Sequence, residues 1–101
     1  MSKEEPKILC QTPTPGKQGT RIAKWKYEAI RKAIRQVVPR NKNSLPFSLL
    51  AKEVGKALPT DERKRIGSIS WYTVTVKLDM EVRGELERIE GAKPQRIRRT
   101  K

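Results

Sequence analysis

Two prolines, Pro39 and Pro46, divide the middle of this chain into two apolar stripes of helical period, and that division limits the folds open to it. Before Pro39, Ile22, Trp25, Ala29, Ile30, Ala33, Ile34 and Val37 recur three and four residues apart, so they line one face of a helix over 20–38. Thr20 stands where an N-cap belongs. Pro39 ends the helix because it brings no N–H to the ladder. A polar loop over 40–45 follows. Pro46 suits the first turn of a second helix, where the missing N–H costs nothing. Phe47, Leu50, Ala51, Val54 and Leu58 then mark its inward stripe, with Gly55 weakening it by about 1 kcal/mol relative to Ala.

The next segment, 59–67, reads as a short helical turn. Thr60 caps it, Asp61 and Glu62 lie in its first turn, Lys64 and Arg65 lie near its end, and Gly67 closes it. That charge order matches the helix dipole. Residues 68–83 carry two patterns at once. Val74, Val76, Leu78, Met80 and Val82 alternate with polar residues, as in a strand, while Trp71, Val74, Thr75, Leu78 and Val82 share one helical face. A strand of about 14 residues would be unusually long. Ser68 or Ser70 can cap a helix and Gly84 can end it, so helix is the expectation. Residues 85–101 read as a hairpin: Gly91-Ala92-Lys93-Pro94 supplies the turn, and Leu86, Ile89 and Ile97 point inward. At the other end, Pro13 and Pro15 exclude helix. Residues 1–19 are therefore expected as an extended arm ahead of a domain over 20–101; Lys7-Ile8-Leu9-Cys10 is read as a short strand or a packed segment, with a floppy tail as the alternative.

Charge narrows the function. The 101 residues hold 24 Lys and Arg against 11 Asp and Glu, a net +13. A body this small then carries a potential of several kT that attracts polyanions. There is one cysteine, Cys10, and no histidine. An internal disulfide, a Cys/His zinc cluster and a histidine-based triad are thereby excluded. No stretch approaches a membrane span, and the acidic N-terminus is unlike a signal peptide. Gly16-Lys17 lacks the remaining residues of a phosphate-binding loop. The expectation is a cytoplasmic, non-enzymatic protein without cofactor or metal.

Three helices followed by a hairpin is the order of a winged helix-turn-helix, mainly α with a small β-hairpin. The segment Val76-Lys77-Leu78-Asp79-Met80-Glu81-Val82-Arg83-Gly84-Glu85-Leu86-Glu87-Arg88 resembles the end of a recognition helix running into its wing. Ile8 to Lys17, Trp25-Lys26-Tyr27, Trp71 with Thr75-Val76-Lys77-Leu78-Asp79, and Lys93-Pro94-Gln95-Arg96 resemble a family of small, functionally uncharacterised bacterial winged-helix proteins over most of 7–100. The resemblance implies a recognition helix over 68–83 and a wing over 85–101, and through them a DNA partner.

With Trp71, Val74, Leu78 and Val82 turned inward, Tyr72, Thr73, Val76, Lys77 and Met80 face outward. Tyr72, Thr73, Val76 and Lys77 are then the candidates for base edges in the major groove. Lys93, Arg96, Arg98 and Arg99 are the candidates for phosphates or a minor groove, and Lys24, Arg31 and Arg35 on the first helix for the backbone. Val76 and Met80 fit a wet face poorly; packing under the N-terminal arm or in a dimer interface is the alternative. Trp25 and Trp71 read as core. Structured RNA and a protein partner remain alternatives to DNA, and the chain is either a monomer or a homodimer.

Overall fold

The computed structural model describes residues 6–12, 19–40, 44–89, 91 and 95–100. Strand β1 (Lys7–Cys10) pairs antiparallel with β2 (Thr20–Ala23). Helix α1 (Lys24–Val37) leads to the short strand β3 (Leu45–Pro46), then α2 (Phe47–Ala57), α3 (Thr60–Ile66) and α4 (Ile69–Val82). Strands β4 (Leu86–Arg88) and β5 (Arg96–Arg99) form a hairpin, and β3 joins its other side, giving the order β3-β5-β4. The architecture is mainly helical with two small antiparallel sheets.

Two expectations change. Among the described residues there are four helices, because 60–66 is a helix in its own right. The first helix begins at Lys24, since Thr20, taken as its N-cap, lies opposite Cys10 in a strand pair that already satisfies the local backbone groups. The hairpin of β1 and β2 spans the boundary expected between arm and domain. Gly19 makes it possible: a Cβ there would lie 2.4 Å from the Cys10 carbonyl oxygen.

Helices α1, α2 and α4 pack around one core of Ile30, Ile34, Val38, Leu50, Val54, Val76 and Met80, closed by Leu86 and Ile97 of the β4–β5 pair and by Cys10 and Ile22 of β1 and β2. Each such aliphatic side chain stabilises the fold by about 1.5–3 kcal/mol on burial. The stripe expected on α2 is the observed one, with Leu50, Val54 and Leu58 buried. On α1, Ile30, Ala33 and Ile34 are buried as expected, and Tyr27 joins them. Gly67, at φ +95°, turns the chain between α3 and α4, a conformation costly for any residue with a Cβ. Ser68 then caps α4, its Oγ accepting from the Trp71 N–H at 3.3 Å.

α4 lies in the core with the side opposite to the expected one. Thr73, Val76, Lys77 and Met80 are buried, and Trp71, Val74 and Val82 are 47%, 39% and 41% exposed. The helix has apolar residues on both sides, so hydrophobicity alone does not orient it. Polar partners do. The buried Asp79 carboxylate accepts from the Tyr27 hydroxyl at 2.6 Å, the Gln11 backbone N–H at 2.9 Å and Arg83 Nε at 2.6 Å. Lys77 pairs with Glu81 at 3.0 Å and lies 4.4 Å from the centre of the Phe47 ring. Val76 and Met80 therefore pack inside the molecule, in the same turns of α4 that hold the arm through Gln11.

Candidate nucleic-acid interface

The residues proposed to read bases fall on two sides of α4. Thr73, Val76 and Lys77 point into the core, so they do not present their side chains to a groove. Burial pushes the Lys77 ammonium below its ordinary pKa, against the opposing pull of Glu81. Tyr72 is half-buried at the edge of the exposed side. The outward face of α4 is instead Ser70, Trp71, Val74 and Val82, with few groups able to hydrogen-bond a base edge.

The arginines of the last strand are occupied inside the fold. Arg96 Nε donates to Ser44 Oγ at 2.6 Å and a second nitrogen donates to the Ser44 carbonyl. Arg98 pairs with Glu87 across β4 and β5. Arg99 Nε donates to the Val38 carbonyl at 2.7 Å, and the Arg99 N–H to that of Pro39 at 2.9 Å. Together they tie β5 to the end of α1 and to the segment before β3. Lys93 lies outside the described residues. On α1, Arg31 pairs with Glu85 at 2.8 Å, Lys24 makes an exposed 3.8 Å pair with Glu28, and Arg35 is half-buried in the last turn. The proposed contacts thus do not form one continuous surface of free cations.

A second group of basic residues lies elsewhere, on α3. Arg63, Lys64 and Arg65 are consecutive and exposed on α3, and among the described residues none of them lies within salt-bridge distance of a carboxylate. Arg63 reaches the Gly55 carbonyl at 3.4 Å. The Arg65 guanidinium lies over the Trp25 ring at 4.6 Å. Lys26 sits 5.7 Å from the centre of that ring and 4.9 Å from the centre of the Tyr72 ring, while donating to the Tyr72 hydroxyl and the Ile66 carbonyl at 3.3 Å each. Tyr72 meets Trp71 edge to face, centroids 4.8 Å apart. Three rings and two cations from α1, α3 and α4 thus form one connected patch.

Sequence reasoning missed this patch because it placed Trp71 in the core; Trp25 does pack against the core, half-buried. A signal was available: Trp71 and Tyr72 are adjacent on a helix, about 100° apart, and Trp25 is followed directly by Lys26.

The model of a family of unknown function (DUF6958) matches residues 7–97. The chain belongs to the DUF6958 family. The match runs from β1 into the first half of β5. No curated protein and no solved structure matches this DUF6958 chain. Among the described residues, no helix is long and apolar enough to cross a membrane.

Proposed function

We propose that this protein binds nucleic acid, with DNA as the first candidate, through the basic end of α3 and the adjoining exposed side of α4. The observation that carries the reading is the run Arg63-Lys64-Arg65, exposed and, among the described residues, without carboxylate partners, on a chain of net charge +13. Such cations take phosphates, and release of counterions supplies the affinity. A winged-helix architecture fits this reading: β3 lies between the first two helices in sequence and pairs with the last strand of the C-terminal hairpin. The apolar outward face of α4 favours contact driven by the backbone and by shape over direct reading of base edges.

The test is fluorescence anisotropy with a labelled duplex of about 20 base pairs, at rising salt and with structured RNA as competitor. A fourfold rise in salt should weaken binding by roughly 100-fold, the value for about four neutralised phosphates. The double variant Arg63→Ala/Lys64→Ala should lower the salt slope by about 2. Salt-independent binding, or none at low salt, would contradict the proposal. RNA that displaces the duplex at equal concentration would move the partner from DNA to RNA.

A second reading has its own observation. Val74 and Val82 are exposed on α4 together with Trp71, an apolar side that also suits a protein partner. Loss of partner capture on Val74→Lys, with nucleic-acid binding unchanged, would favour it.

A further inference from the structure

Trp71 differs from the other rings of its cluster. Trp25 carries Arg65 and Lys26 on its ring, and Tyr72 carries Lys26. Among the described residues, no cation lies over the Trp71 ring. Its indole is held by the edge-to-face contact with Tyr72 at an interplanar angle of 86°, and it is still nearly half exposed. The half-exposed Trp71 ring is thus joined through Tyr72 to Lys26, and Lys26 through Trp25 to Arg65.

That combination matches one chemistry: a flat π system attached to an anion. A duplex hides the faces of its bases in the stack, whereas an unpaired nucleotide offers a free face and a phosphate within a few ångströms of it. We propose that Trp71 stacks an unpaired nucleobase while Arg65 and Lys26 hold the adjoining phosphate, so that the preferred ligand is a single-stranded or locally unpaired nucleic acid. The proposal rests on the nucleic-acid reading above and specifies its ligand. Stacking on one ring tolerates any base, because every base has a π-face, so sequence preference is weak. An apolar protein side chain would also cover Trp71, but it would have no use for Arg65 and Lys26.

The experiment compares the full chain with Trp71→Ala and Trp71→Phe on three labelled probes of the same sequence: single-stranded DNA, single-stranded RNA and a blunt DNA duplex, all at one salt concentration. The native chain should bind a single strand about tenfold more tightly than the blunt duplex, with quenching of tryptophan emission. Trp71→Ala should remove that advantage while leaving duplex binding in place, and Trp71→Phe should restore much of it. The two single-stranded arms identify the sugar, and loss on Trp71→Ala in either supports stacking. Equal binding of single strand by the native chain and Trp71→Ala, with salt-dependent duplex binding intact, overturns the stacking proposal and leaves the broader reading standing. No binding of any probe by the native chain overturns both. Thermal melting of each variant separates a misfolded protein from a lost contact, and Trp71→Phe keeps an aromatic ring at the same position.

Discussion

α2 and α4 pack against each other, yet they use their apolar residues in opposite ways. α2 hides a stripe in which Leu50, Val54 and the following Leu58 are buried; its charged Lys52 faces solvent, and so does Leu49. α4 buries Lys77 and Asp79 and exposes Trp71, Val74 and Val82. On α2, burial of hydrocarbon alone explains the orientation. On α4, a set of specific polar bonds sets it, and the apolar side left over becomes the surface. A helix so placed is costly to leave bare, which is the physical reason to look for its function on that side.

The comparison breaks most visibly at Asp79. Asp79→Ala removes the acceptor of three hydrogen bonds and leaves the Tyr27 hydroxyl and the Gln11 N–H without their partner. The expected loss is about 3–5 kcal/mol of unfolding free energy, read by denaturant titration. A loss below about 1 kcal/mol would mean that hydrocarbon burial orients α4 after all.

The next effect is on pH. Burial and the Asp79 charge push the Cys10 thiol up to about 11 from 9.0. The folded state then holds this proton more tightly than the unfolded one, so the contribution is complete below pH 9.0 and is lost as pH rises through about 11. The size is roughly 2–3 kcal/mol. Tyr27, raised by burial and by its bond to Asp79, adds loss in the same direction. Lys77, lowered by burial, works the other way, because its unfolded form binds more protons just below 10.5. Unfolding curves between pH 8 and 11 should therefore show falling stability, with a shallower fall in Cys10→Ala. An equally steep fall in that variant would contradict the assignment.

A smaller effect is expected at Lys77. Lys77→Met removes the cation from the buried Glu81 Oε2, while Glu81 Oε1 retains Arg88 at 2.6 Å. The expected loss is about 1–2 kcal/mol, the cost of leaving a buried acceptor without its partner. The smallest effect on stability is expected at Trp71→Ala, under about 1 kcal/mol, because the side chain is half exposed. A larger loss there would make Trp71 part of the core and would sharpen the case against a binding role.

How far the sequence carried the reading follows the same division. The stripe on α2, the buried part of α1, the Ser68 cap and the C-terminal hairpin were legible because one short-range rule sufficed for each. The side of α4 was not, since Gln11, Tyr27 and Arg83 reach Asp79 from three separate parts of the chain. The strand Thr20–Ala23 was likewise hidden behind a helical period that continues into α1. The basic charge of the last strand was legible, but Arg96, Arg98 and Arg99 find Ser44, Glu87 and Val38 only in the folded chain. The aromatic patch needed the two tryptophans to be brought together across 46 residues of sequence.

The measurement closest to the central claim is a two-dimensional NMR titration of the labelled protein with a single-stranded oligonucleotide, following the two tryptophan indole N–H signals and the backbone amides. The account predicts that the Trp71 indole and the amides of Arg63 to Arg65 move most, while those of Thr73, Val76 and Lys77 stay in place. Shifts confined to Arg96–Arg99, with both indole signals unmoved, would contradict it.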